Sequence, residues 1–181
     1  FYRPGGLAWH AETGDLWLVD GGGPGAPAEL NRIVPGADYG FPGCTAGAPD
    51  APACAGTEPP AALLPAQSSP AAIAFYEAGG FALWQGDLLV ALGGSPTLPE
   101  PSGYSLAALD FADGMPTGVV DIVVPSSDHP VQFRSWAAIA LGGRGFFPQH
   151  PAGVAVMPDG SIAIATQEGR IFRARPRTSS Y

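Results

Sequence analysis

The chain has 181 residues, with 16 Asp+Glu against 8 Lys+Arg and a formal net charge of −8. Every basic residue is an arginine: Arg3, Arg32, Arg134, Arg144, Arg170, Arg173, Arg175 and Arg177. The absence of lysine excludes a Walker phosphate loop, a Schiff-base lysine and a lysine-lined anion site within these residues. The acidic balance also argues against nucleic acid, whose binding needs a basic patch to displace counterions. The arginines at 170–177 read as solvent-facing residues of a last strand and tail.

Gly (26) and Pro (21) together make up about a quarter of the chain, a share that on its own signals low complexity. The 46% hydrophobic content points the other way, because so apolar a chain can bury a core. Helix breakers at this density disfavour long helices, since interior Pro and Gly cost about 3 and 1 kcal/mol each. Short strands joined by turns remain, in a length that fits one domain. There is no run of 18 apolar residues, so no membrane-spanning helix is expected. The first residue is Phe1, and Phe1–Pro4 lacks the pattern of a signal peptide. The chain is therefore expected to begin inside a longer polypeptide.

In chain order, the first element is a strand–turn–strand unit, Gly6–Asp20, followed by a third strand at Glu29–Val34. A Gly-rich segment, residues 21–28, separates them. A long Pro/Ala/Gly stretch from Pro35 to Ser69 holds Cys44 and Cys54. Two cysteines allow one pairing, and a bridge would imply an oxidising compartment. Two unpaired small residues are the alternative. No further Cys or nearby His completes a zinc site. The unit recurs at Ala72–Tyr76 and Gly86–Leu92, continuing into strands at Gly103–Leu109 and Val119–Val124. A second long connection runs from Pro125 to Pro151. The third copy, Gly153–Thr166, turns through Pro158-Asp159-Gly160 and is followed by Gly169–Ala174.

Three copies of one strand–turn–strand signature, each entered through a strand of small residues, predict propeller blades of four antiparallel strands. A β-sandwich accounts for short strands but not for the repetition. The fold class is thus all-β: a β-propeller segment of about three four-stranded blades, at approximately residues 1–68, 69–130 and 131–181. The third lacks a fourth strand, and closed rings need at least four blades. The chain therefore reads as the C-terminal part of one larger propeller domain.

Of the remaining candidates, His10 is expected to cap a turn, and Asp20 and Asp159 to bond at strand ends. Trp17, Trp84 and Trp136 are expected in packing. His129 precedes a proline in a loop. There is no Gly-x-Ser-x-Gly elbow, so a serine hydrolase has no support. A calcium-dependent lactonase propeller would need acidic ligands on the innermost strands, where Ala8, Ala74 and Ala155 stand instead.

Residues 3–9, 13–20 and above all Glu29-Leu-Asn-Arg-Ile-Val-Pro-Gly-Ala-Asp-Tyr-Gly-Phe-Pro42 resemble the glucose/sorbosone dehydrogenases. Pro70–Tyr76, Gly86–Ser95, Gly103-Tyr104 and Gly153–Gly160 extend the resemblance over nearly the whole chain. It implies half of a six-bladed ring that uses pyrroloquinoline quinone (PQQ) and calcium to oxidise sugars. It assigns Arg3 and, at an arginine position, His150 to the cofactor, and the backbone of Gly23 and Pro24 to calcium. Pro4, Gly22, Ala28 and Ala152 stand where the family has polar or charged residues, and its lysine is missing near Gly93-Gly94. The family's catalytic histidine belongs to the N-terminal half, so no catalytic residue is assigned in this chain. Arg134 or Arg144 are candidate substitutes for the missing cations. The implied partners are the N-terminal propeller half and a sugar. The alternative is a non-catalytic propeller serving as a binding or assembly module in a larger extracellular assembly. Either is expected to be secreted, extracellular or periplasmic.

Overall fold

The computed structural model describes residues 1–46, 48–95, 102–124 and 149–175. Three antiparallel sheets account for the strands of the described residues. The first joins β1 (Pro4–Trp9), β2 (Leu16–Asp20), β3 (Ala28–Ile33) and β4 (Ala62–Leu64) in sequential order. The second joins β5 (Pro70–Phe75), β6 (Leu88–Leu92), β7 (Ser105–Ala112) and β8 (Met115–Val124). The third joins β9 (Pro151–Val156), β10 (Ile162–Thr166) and β11 (Ile171–Ala174). The only helices among the described residues are two single 3₁₀ turns, at Pro52–Cys54 and Ala82–Trp84. These are propeller blades, the first two with four strands each and the third with three among the described residues. The strand β4 emerges from the Pro/Ala-rich stretch that the sequence reads as loop. The connection at 125–148, with His129, Arg134, Trp136 and Arg144, lies outside the described residues, as do 176–181 with Arg177.

Side-chain alternation along the second sheet explains how the blades hold together. In β6, Leu88, Val90 and Leu92 join the core shared with the first blade. Leu89 and Ala91 join the core shared with the third. In β7, Ala107 and Leu109 face one way, and Leu106 and Ala108 the other. A strand buried on both faces must read as a continuous apolar run, and Leu-Leu-Val-Ala-Leu does. The outer blades bury one face each. Trp9 on β1 stays 68% exposed and Ile171 on β11 79% exposed.

The first strands of the blades approach one another so closely that side-chain size is dictated. A Cβ on Gly6 would lie 2.6 Å from the Ala72 Cα of β5, and one on Gly5 2.6 Å from the Pro70 carbonyl oxygen. This is the physical reason for the glycines at the start of the first blade.

Local bonds fix the turns as the residue types suggest. His10 Nδ1 accepts from the Thr13 amide at 3.2 Å, and the Asp20 carboxylate accepts from the amides of Tyr2 and Arg3. Asp159 accepts from the Ser161 amide and hydroxyl and pairs with Arg173. The Ser161 bonds, then Arg173, hold its carboxyl below the usual range. Cys44 and Cys54 are bridged, with their Cα atoms 4.8 Å apart. Trp17 is fully buried, and Trp84 packs partly buried against the second core.

The buried Tyr76 hydroxyl locks the second blade to the third. It donates to the Gly160 carbonyl at 2.7 Å and accepts from the Phe81 amide at 2.8 Å. Tyr76→Phe strands both partners, and leaving buried groups unpaired costs about 1–3 kcal/mol. Urea unfolding should show that loss of stability with little change in far-UV circular dichroism.

Candidate active site

Each blade begins on an X-Pro step: Arg3-Pro4, Ser69-Pro70 and His150-Pro151. Proline suits the first residue of a strand, where its missing N–H leaves no ladder bond unmade. The three prolines hold equivalent registers, opposite Asp20, Leu92 and Thr166. The three preceding carbonyls accept equivalent bonds, from Gly21 to Arg3 at 3.0 Å, Gly93 to Ser69 at 2.9 Å and Gln167 to His150 at 3.0 Å. Backbone geometry thus sets Arg3, Ser69 and His150 at the same position of three successive blades. Together they form one rim.

Arg3, Gly23 and Pro24 line a single cavity of about 330 Å³ with Tyr2, Gln67, Ser69 and Ser95. The Arg3 Nη2 donates to Ser69 Oγ at 3.0 Å, across the junction of the first two blades. Gly21 leaves space for the Arg3 side chain: a Cβ there would fall 2.8 Å from Arg3 Nε and push the guanidinium aside. Among the described residues no acidic side chain forms an ion pair with Arg3. The Gly23 carbonyl accepts from the Ala26 amide at 3.0 Å, closing the turn that presents Gly23 and Pro24 to the cavity. Gly22, at φ +64°, leaves no room for a side chain: its Cβ would lie 2.2 Å from the Pro27 carbonyl oxygen. This turn therefore excludes a polar side chain at that position.

His150 does not line that cavity. It sits on the third blade, its ring centroid 5.0 Å from that of Tyr104. Its Nδ1 lies 2.6 Å from Glu168 Oε1, and its backbone amide donates to the same carboxylate. The His150 bond dominates in lowering the Glu168 carboxyl from 4.5 to about 2. Burial, then the Glu168 charge, pushes Tyr104 up. The sequence reading missed Glu168. Its only signal is the register that sets residue 168 beside residue 150 across the β9–β10 pair.

Behind the cavity, Glu29 lines a small pocket with Tyr39, Thr45 and the Cys44–Cys54 bridge. Burial raises its carboxyl against the opposing bond from Asn31. Among the described residues, no three His, Cys, Asp or Glu side chains come together to hold a metal ion. Oxygens for a cation here would come from the Gly23 and Pro24 backbone.

A folded carboxyl held below its unfolded value stabilises the fold above the unfolded pKa and loses that effect as pH falls through the folded one. The Glu168 carboxylate should therefore still be ionised against His150 at pH 5 and lose that contact as pH falls from about 4.5 to about 2. Histidine proton resonances followed against pH should show this transition in the natural chain and lose it in Glu168→Gln.

The profile described as Glucose / Sorbosone dehydrogenase matches residues 3–95, more than half of the chain. No curated protein sequence matches. Among solved structures, a glucose dehydrogenase superposes with a TM-score of 0.68 at 22% identity, over 97% of this chain and 44% of its own. The soluble aldose sugar dehydrogenase of Escherichia coli in its apo-form gives 0.65 at 22%, over 96% and 45%. The PQQ-bound aldose sugar dehydrogenase of Streptomyces coelicolor gives 0.59 at 18%, over 94% and 42%. The chain thus spans a little under half the length of these structures, and at these identities the likeness is one of fold.

Proposed function

This chain belongs to the glucose/sorbosone dehydrogenase family, and we propose that it forms part of the cofactor-facing rim of a PQQ-dependent sugar dehydrogenase. The observation that carries this reading is the shared cavity. Arg3 and Gly23-Pro24, separated by a whole strand pair, line it together.

The residues present suit the group's chemistry. PQQ is a tricarboxylate, and the Arg3 guanidinium offers a charge-assisted partner for one carboxylate. Gln67, Ser69 and Ser95 offer neutral hydrogen-bonding groups around it. Calcium takes six to eight oxygens, so the Gly23 and Pro24 carbonyls would supply two, with cofactor oxygens and water completing the shell. When bound, the quinone would supply the hydride acceptor for sugar oxidation. This chain's residues bind and orient. By the family resemblance, the proton-abstracting base would lie in the N-terminal half of the ring. His150 is a second cofactor-facing group, and Glu168 fixes its ring by holding Nδ1. The disulfide supports an oxidising compartment, hence a secreted or periplasmic protein.

One observation favours a second reading, a non-catalytic propeller acting as a binding or assembly module. The chain has no lysine, and Pro4, Gly22, Ala28 and Ala152 are neutral. Each lost charge-assisted bond is worth about 1.5–3 kcal/mol, and each 1.4 kcal/mol is about tenfold in affinity.

The full-length protein should be reconstituted with PQQ and calcium and assayed by dye reduction with aldoses. The first reading expects turnover above a cofactor-free control, and a roughly 10–100-fold weaker hold on PQQ in Arg3→Gln. A protein that binds no quinone and reduces no dye would leave the second reading standing.

A further inference from the structure

A second cavity lies away from the rim. It lies at the opposite strand ends, between the first two blades, with a volume of about 470 Å³. His10 and Glu12 follow β1, Glu77 follows β5, Gln85 and Gly86 precede β6, and Asp113 and Gly114 form the β7–β8 turn. Its size is that of a small-molecule site.

Its lining combines both hydrogen-bonding senses with an aromatic wall. His10 is only 7% exposed, held between Phe75 and Phe111 with ring centroids at 4.7 and 6.0 Å. The Thr13 amide donates to its Nδ1, so the neutral ring carries its proton on Nε2. That nitrogen has no partner among the described residues and is left for the cavity that His10 lines. The Gln85 Oε1 accepts from the Gly79 amide, which turns its NH₂ into a second available donor. Glu12, Glu77 and Asp113 are acceptors with no cationic partner among the described residues. They do not converge closely enough for a metal site. Phe111 closes one side.

We propose that this cavity binds a polyhydroxylated ligand, a sugar or polyol, at a second site remote from the rim. A hydroxyl both accepts and donates, so one ligand can take the His10 and Gln85 protons while giving its own to the carboxylates. A cation would satisfy the carboxylates but leave the His10 Nε2–H facing positive charge. The inference does not depend on cofactor chemistry at the rim.

The test uses the full-length protein and trehalose, a sugar with no free anomeric hydroxyl to oxidise. Saturation-transfer difference NMR should show trehalose binding that survives in Arg3→Gln. The signal should fall about tenfold or more in Glu77→Ala/Asp113→Asn, two exposed turn positions whose change leaves the core intact. Gln85→Ala should weaken it independently. Three results would overturn the proposal: no trehalose binding, binding abolished by Arg3→Gln but not by the cavity variants, or displacement of trehalose by spermidine at low millimolar concentration.

Discussion

Everything in this structure depends on how closely the first strands of neighbouring blades pass. Gly6 faces the β5 backbone at a distance that admits no Cβ. That contact sets the spacing of the sheets, and the spacing decides which residues can fill the space between them. The apolar layer of Trp17, Val19, Leu30, Ile73, Val90 and Leu109 packs where the first two blades diverge. Burial of that layer supplies the driving force, but the glycine decides the geometry. It also brings the starts of the strands together, so that an arginine on one blade reaches a serine on the next.

Much of the architecture was legible in the sequence because propeller repetition writes the same constraint three times. The small residues, the apolar second strand and the turn glycine each have a local cause, and each recurs in the same order in all three copies. The strand β4 was not legible. Its three residues, Ala62–Leu64, carry no alternation, and they become a strand only because β3 has a free edge to pair with. The full length of β8 was hidden for a related reason. The residues after the Asp113-Gly114 turn, Met115 to Gly118, form strand through pairing with β7, against the poor strand propensity of Pro116 and Gly118.

The site was legible to a lesser degree. Arg3 and Gly23-Pro24 are visible as motif positions, and their shared cavity follows from the β1–β2 register. The partnership of His150 with Glu168 required knowing which residues lie opposite across a hairpin. It also changes the meaning of the histidine. Unpaired, His150 would read as a weak replacement for an arginine. With a carboxylate on Nδ1 and the Tyr104 ring beside it, it is a fixed group whose Nε2 has no partner among the described residues.

The rim separates what backbone can preserve from what only side chains can supply. The three pre-proline carbonyls accept their bonds whatever residue carries them, and the Gly23 turn depends on conformation rather than charge. Such features outlast wholesale change in side-chain chemistry, because nothing in the fold penalises that change. The side chains at the same three positions are under no such protection, and here they are one arginine, one serine and one histidine tied to a glutamate. A polyanion placed over them would meet one uncompensated cation among the described residues, and the rest of its hold would come from neutral donors, a bridging cation, Arg134 or Arg144, or the remainder of the ring. The backbone turn at Gly23-Pro24 then gains weight. A calcium ion there would carry the positive charge that the missing lysine and arginines do not, so quinone and cation should bind this rim together or not at all.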